Sequence, residues 1–232
     1  MIGIICAMIE ERDSIVSLME DVSVNFERLL NYREGTFNDE YYEGKINGRD
    51  VVVHHCGVGK AAAAMGTQML IERYHPDLVI NLGCAGSLNE NVHVGDIVIA
   101  DKTADWDFFV PGWPRNFDSI YIANKCSEMV IEIVKELNYK NIHIGPIVSG
   151  DQFIMDDDQI FIIKGHFEQA LAGEMEGNAV ATACYMYGVP CSIIRSISDE
   201  TLVNDNLSQY EFNLVEVCNK AGRLCYDIIS RL

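Results

Sequence analysis

The sequence predicts an α/β fold with a largely parallel or mixed central sheet. Apolar runs of strand length alternate along the chain with stretches of helical period, the pattern of strands joined by covering helices. Most of these runs are apolar at consecutive positions, as expected when both faces of a sheet are covered. The chain has 232 residues, 49% of them hydrophobic and 22% charged, a globular composition. Folding at that length buries roughly 70–75% of the unfolded chain's surface, enough for one sizeable core. There is no Pro/Ser-rich linker, low-complexity tract or repeat, so one domain spanning 1–232 is expected.

The first strand is read at 2–8, where Met1-Ile2-Gly3-Ile4-Ile5 opens directly into an apolar run. The polar, Gly-turned stretch 31–42 predicts a hairpin leading into an edge strand around 41–46. A strand at 51–58 is followed by an Ala-rich helix, 60–74, with Met65, Met69 and Leu70 on one stripe. Strands are read at 78–84 and 97–100. Apolar residues at Ile122, Met129, Ile133 and Leu137 predict a helix over 119–137. A strand at 142–148, a helix at 176–187 and a strand at 189–197 follow. The last element is a helix over 209–229, its apolar face running through Phe212, Val215, Cys218, Ala221, Leu224, Cys225 and Ile228.

Charge excludes several function classes. Thirty-five acids against 17 bases give a net charge of −18, a field that repels phosphate backbones and anionic membranes. Nucleic-acid and membrane partners are therefore not expected. A strongly anionic substrate is disfavoured less, because a local site can oppose the global field. Eight cysteines lie mostly in apolar segments, with no C-x-x-C pair and no zinc-spaced Cys/His set. They read as reduced, buried thiols of a cytoplasmic protein. The N-terminus lacks a basic region and cleavage site, so no signal peptide is expected. No apolar stretch approaches the ~20 residues of a membrane helix.

Ligands of open α/β sheets sit beyond the C-terminal ends of strands. The segments expected there are Met8-Ile9-Glu10-Glu11, Gly57-Val58-Gly59-Lys60, Gly83-Cys84-Ala85-Gly86, Ser149-Gly150-Asp151-Gln152-Phe153, Glu174-Met175-Glu176 and Arg195-Ser196-Ile197-Ser198-Asp199. They bring together carboxylates, glycine turns and one arginine. Gly57-Val58-Gly59-Lys60-Ala61-Ala62 is an incomplete dinucleotide fingerprint, because Asp77 precedes its strand instead of ending it. It is also an incomplete P-loop, with His54 for the first Gly and Ala61 for Ser/Thr. His54 and His55 alternate faces of one strand, and the other histidines stand alone. No G-x-S-x-G elbow supports a serine triad. No cofactor or metal is expected.

Several segments resemble the 5′-methylthioadenosine/S-adenosylhomocysteine nucleosidases. They are 4–11 (Ile4-Ile5-Cys6-Ala7-Met8-Ile9-Glu10-Glu11), Cys56-Gly57-Val58-Gly59-Lys60, Asn81-Leu82-Gly83-Cys84-Ala85-Gly86, Val94-Gly95-Asp96-Ile97-Val98, Val148-Ser149-Gly150-Asp151-Gln152-Phe153-Ile154, Glu174-Met175-Glu176 and Arg195-Ser196-Ile197-Ser198-Asp199. They occur in the family's order and spacing from residue 2 to about residue 220. The resemblance implies a nucleoside-phosphorylase-like fold with a mixed sheet flanked by helices, a homodimer, and hydrolysis of the N-glycosidic bond of a 5′-thioether adenine nucleoside.

Glycosidic cleavage places positive charge on the sugar and negative charge on the departing purine, so it needs an acid at purine N7 and a water below the anomeric carbon. The resemblance implies Asp199 as that acid, oriented by Ser198, and Glu11 as the base polarising water. Arg195 is expected to help hold that water and to balance nearby carboxylates. Glu176 is expected at the ribose hydroxyls, Phe153 stacked on adenine, and Ile154 offering its backbone to the base edge. Met8, Val58, Met175, Phe108 and Phe109 are expected as apolar walls, and Tyr210 as the lid. Each has a plainer reading: Glu10 and Glu11 could open a helix, Glu174 and Glu176 could lie on a solvated strand edge, Met8 and Met175 could pack a core, and Asp199 could cap a helix.

Two departures from the family pattern stand out, and one difference from the related phosphorylases. Cys84 replaces a small hydroxyl residue and is a weak donor. Asp105-Trp106-Asp107-Phe108-Phe109 replaces a His-Asp-containing stretch near the 5′ pocket. Asn81 stands where related phosphorylases carry an Arg. A purine nucleoside phosphorylase using phosphate is one alternative, although phosphate needs fixed positive charge and Glu11 would repel it. A nucleoside-binding sensor with decayed catalysis is another. A 5′-deoxyadenosine hydrolase is a third, within the same fold. The loop bearing Trp106, Phe108, Phe109, Pro111 and Trp113 is expected to be an exposed interface that closes a neighbouring subunit's 5′ pocket.

Overall fold

The computed structural model describes residues 1–26, 40–119, 123–203 and 205–232. The elements in chain order are β1 (Ile2–Cys6), α1 (Ile9–Val16), β2 (Glu20–Phe26), β3 (Glu40–Ile46), β4 (Arg49–His55), α2 (Lys60–Tyr74), β5 (Leu78–Ser87), β6 (Ile97–Asp105), β7 (Ala123–Lys125), α3 (Glu128–Glu136), β8 (Ile142–Ser149), α4 (Asp157–His166), β9 (Ala172–Glu174), α5 (Gly177–Tyr187), β10 (Cys191–Glu200) and α6 (Asn206–Ile229).

The strands form one mixed sheet in the order β10-β6-β8-β9-β5-β1-β4-β3-β2, with β7 on β6. β10 also pairs with β5, so β5, β10, β6, β8 and β9 close a circuit from which β1, β4, β3 and β2 extend. β1 is parallel to both β4 and β5, and β5 is parallel to β10. β10 runs antiparallel to β6, and β9 antiparallel to β5. Consecutive apolar residues point to opposite faces, and both faces are buried. Ile4, Val53, Ile80 and Ile194 pack with Leu224 and Ile228 of α6. Their neighbours Ile5, Val52, Val79 and Ile193 pack with Ala63 and Leu70 of α2 and Val180 and Cys184 of α5.

Several element boundaries are corrected. The helix read over 119–137 begins only at Glu128, after Ser127 at its N-cap. Asn124 and Lys125 instead pair with Thr103 and Lys102 of β6, where a helix would leave that strand edge unpaired. Residues 120–122, including Ile122, lie outside the described residues, as does most of the predicted hairpin at 31–42. The strand it leads to is β3. Strands also run past their predicted ends: β5 continues to Ser87 and β10 to Glu200, so Ser198 and Asp199 belong to the strand. A register shift in the β5–β10 ladder between Ile197 and Asp199 re-aims these side chains.

α4 was not anticipated, although Asp156 and Gln159 form a complete capping box at its start. All eight cysteines are free, and all but Cys84 are buried. Among the described residues, no helix is long and apolar enough to cross a membrane.

Candidate active site

A cavity of about 130 Å³ opens where β1, β5, β9 and β10 end. Its wall holds four carboxylates, those of Glu11, Glu174, Glu176 and Asp199. Among the described residues no Lys, Arg or His lines it. Met8, Val58, Phe153, Met175 and Tyr210 supply its apolar surface. The Phe153 and Tyr210 rings meet edge-to-face with centroids 5.5 Å apart, and the Tyr210 hydroxyl donates to Met8 Sδ at 3.1 Å.

One end of the cavity is organised around Arg195, which is fully buried on β10. Its guanidinium bonds the Glu174 carboxylate twice, with Nε at 3.2 Å from Oε2, and donates to Asn81 Oδ1 at 2.5 Å. Glu176 Oε2 lies 3.9 Å away. Glu174 is held further by the amides of Glu176 and Gly177, at 3.0 and 2.7 Å, and by the Ser149 hydroxyl. The turn at 57–59 gives the Gly59 amide to Glu176 Oε1 at 2.8 Å, a structural use for the incomplete nucleotide fingerprint.

Glu11 enters this end from the first turn of α1. Its Oε2 accepts the amides of Ala7 and Met8 at 2.8 and 3.0 Å, and its Oε1 accepts that of Cys84 at 3.1 Å. Gly83 makes this approach possible: a Cβ there would sit 2.5 Å from Glu11 Oε1 and 2.8 Å from Arg195 Nη1.

Among the described residues, Asp199 is the ionisable group lining the other end. Its Oδ1 accepts the Ser198 hydroxyl at 2.8 Å and its Oδ2 accepts Asn206 Nδ2 at 3.0 Å. Gly86 leaves room for it, since a Cβ there would lie 3.0 Å from Oδ2. Asn206 Nδ2 also donates to the Ile154 carbonyl at 2.8 Å.

Burial dominates the protonation of these acids. It raises the Asp199 carboxyl from its ordinary value, although the bonds from Ser198 and Asn206 oppose it. It raises Glu11 too, against the pull of Arg195 and three backbone amides. Glu176 is pushed up to about 8, by burial first and then by the charge of Glu174. Burial alone would lower Arg195, but the charges of Glu174, Glu176 and Glu11 overcome it and keep the guanidinium charged. The Cys84 thiol is raised well above its usual value by a hydrogen bond with Cys218 and by burial, so it is no ready nucleophile.

The cavity thus gathers Glu11, Glu176, Asp199, Ser198, Met175, Phe153, Ile154, Met8, Val58, Cys84 and Tyr210. Glu174 and Glu176 are buried, not on a solvated edge. Arg195 corrects its expectation in part: it balances the carboxylates but does not open onto the cavity. Phe108 and Phe109 do not line this chain's cavity either. They are 37% and 64% exposed, with Phe108 against Trp113 and Phe109 under the Arg115 guanidinium. Trp106 is buried, because Gly150 gives its indole space that a Cβ would fill.

Sequence reasoning named Glu174 within a cluster without assigning it a place, and missed Asn206. Lys60, the other cation near the site, is turned aside: its Nζ lies 2.5 Å from Asp107 Oδ1 and 3.6 Å from Asp105 Oδ1.

A curled mixed sheet covered on both faces, with a carboxylate-lined pocket at its strand ends, is an α/β protein of the nucleoside phosphorylase fold. The family model described as the phosphorylase superfamily matches residues 1–230. The 5′-methylthioadenosine/S-adenosylhomocysteine nucleosidase of Haemophilus influenzae is 35% identical over 238 residues, covering 100% of this chain and 99% of that one. The nucleosidase of the same name from S. pneumoniae, solved with the transition-state inhibitor MT-ImmA, superposes with a TM-score of 0.87 at 29% identity, covering 99% and 98% of the two chains. That of Colwellia psychrerythraea, in complex with adenine, gives 0.85 at 26% identity, covering 100% and 95%. The chain belongs to the phosphorylase superfamily, and within it to the 5′-methylthioadenosine/S-adenosylhomocysteine nucleosidases.

Proposed function

We propose that the chain hydrolyses the N-glycosidic bond of 5′-methylthioadenosine and S-adenosylhomocysteine, releasing adenine, as a cytoplasmic homodimer. One observation carries the choice of water over phosphate: four carboxylates and no cation line the cavity among the described residues. A phosphate dianion there would meet Glu11 unpaired, at a large desolvation cost. The two cations nearby are already engaged, Arg195 by Glu174 and Lys60 by Asp107.

In this reading Asp199, whose carboxyl burial shifts toward the protonated form, gives its proton to purine N7 as the bond to the sugar lengthens. Ser198 fixes the carboxyl's orientation. Phe153 stacks on the base, and the Ile154 backbone meets its edge. Glu176 accepts the ribose hydroxyls. Glu11, with its oxygens fixed by three amides, takes a proton from the water that attacks the anomeric carbon. Arg195 is a positioning residue that holds Glu174 and Glu176 at their distances. Met8, Val58, Met175 and Tyr210 wall the sugar and the 5′-thioether. Retention of Glu11, Glu176 and Asp199 in one cavity argues against a decayed sensor.

The exposed rings of Phe108, Phe109 and Trp113 support an interface at which this loop reaches a second copy's 5′ pocket. Sedimentation is expected to give a dimer, and a stable, fully active monomer would remove that part. The reaction is tested by following adenine release from 5′-methylthioadenosine, S-adenosylhomocysteine and 5′-deoxyadenosine, with and without phosphate. The expected products are adenine and a free ribose derivative at a rate independent of phosphate. A sugar 1-phosphate as main product would overturn the reading.

A further inference from the structure

We propose that Asn206 is a positioning residue for this reaction, binding the acid to the segment that meets the base. The inference rests on the reading of Asp199 as the acid and Ile154 as the base-edge contact. Asn206 is the first residue of α6, is 6% exposed, and follows Asp205 in a left-handed conformation (φ 71°). Its single Nδ2 group spends one hydrogen on Asp199 Oδ2 at 3.0 Å and the other on the Ile154 carbonyl at 2.8 Å. No other side chain among the described residues hydrogen-bonds both the acid and the loop at 153–154. An amide is the group that can do this, having two donors in one plane.

The two bonds have separate consequences. With Ser198 on Oδ1 and Asn206 on Oδ2, both oxygens of Asp199 are fixed, so the carboxyl plane cannot turn away from the base. A donor to the carboxylate also favours its ionised form. Asn206 therefore restrains how far burial raises the acid.

The other titratable groups around Asp199 are accounted for. Glu200, next on β10, lies 3.2 Å from His93 Nδ1. Asp205 accepts the Ser208 hydroxyl. Tyr210 of α6 contacts Met8. Cys84, Glu11, Glu174 and Glu176 stand on the cavity's other walls. The influences that set the protonation of Asp199 are burial, Ser198 and Asn206.

The test compares wild type, Asn206→Ala and Asn206→Asp by the pH profile of kcat/KM for 5′-methylthioadenosine, the affinity for free adenine, and Tm. Removing the donor, or replacing it with a second carboxylate, moves the alkaline limb to higher pH, by about one unit or more for a bond to a charged group. The plateau of kcat/KM and the affinity for adenine each fall about tenfold, as the base-edge segment loses its tether. Asn206→Asp keeps the side chain's shape and serves if Asn206→Ala does not fold. A residue that merely starts a helix would lower Tm and leave the limb in place. A limb or an adenine affinity equal to wild type in a folded variant overturns the proposal. A wild-type chain that released no adenine at any pH would instead overturn the functional reading, and the positioning role with it.

Discussion

The two ends of the cavity hold carboxylates by opposite means. Around Arg195, three acids share one guanidinium and are pinned by backbone amides. Around Asp199, among the described residues, the side-chain donors are a hydroxyl and an amide and no cation is bonded to it. The first arrangement suits groups that accept hydrogen bonds from sugar hydroxyls and water, because the guanidinium opposes the rise that burial causes and the amides fix their geometry. The second suits a group that must carry a proton, because burial without a counter-charge favours the neutral acid. One functional group, the carboxyl, thus serves two tasks through its surroundings.

The largest effects should come from removing the reactive carboxyl at each end. Asp199→Asn keeps shape but cannot transfer a proton, and kcat is expected to fall by about 10²–10⁴-fold with the fold intact. Glu11→Gln should lose turnover to a similar degree while still binding substrate, because its loss falls on the transition state. Paired measurements of Tm and kcat decide the matter. A lower Tm with near-normal turnover in Asp199→Asn would make that residue a helix cap.

Next is an effect confined to the charged end. Glu174→Gln leaves the Arg195 guanidinium buried without its main partner, which typically costs about 3–5 kcal/mol of stability. Denaturant unfolding measures it. A loss no greater than an ordinary surface substitution would mean that the four-group network is not held by its ion pair.

The third prediction concerns pH. Glu176, Glu11 and Asp199 all have folded-state pKa values above their unfolded ones. Between the unfolded Glu value near 4.3 and the folded value of about 8 for Glu176, the native state binds more protons than the unfolded chain. Stability therefore falls as pH rises through that window. Tm of the ligand-free protein should drop from pH 5 to pH 8, and Glu176→Gln should flatten the slope. A slope that is unchanged in Glu176→Gln removes Glu176 as its source.

The smallest effect is expected at Cys84, beside Glu11. Cys84→Ser restores a stronger donor and should change kcat/KM by less than about tenfold, the scale of one neutral hydrogen bond. A larger gain would show that the thiol limits the reaction.

Much of this site was legible because its residues sit at strand ends, where short clusters such as Glu174-Met175-Glu176 and Ser198-Asp199 keep chemistry local in sequence. The sheet was legible for a similar reason, since runs such as Ile4-Ile5 and Ile193-Ile194 declare two covered faces. What escaped depends on distant pairing. Asn206 bonds Ile154, 52 residues away, and nothing local marks it out. Glu174 and Glu176 look alike in sequence, and only the position of Arg195 makes one an anchor and the other a cavity acceptor. The helix read over 119–137 failed because β6 captures 123–125, a competition that periodicity does not contain.

The position of β10 in the sheet has a consequence for how the protein is made. This strand lies between β5 and β6, yet it follows both, and every other described strand, in the chain. A nascent chain ending before Cys191 already carries Glu11, Glu174 and Glu176 but not the guanidinium that neutralises them. Its sheet also has an open seam where β5 and β6 await a common neighbour. Chains fold progressively as they emerge, but here the final strand must close the sheet and discharge its acids in one step. Such a fragment is expected to unfold without cooperativity, and the pocket to exist only once β10 has been made.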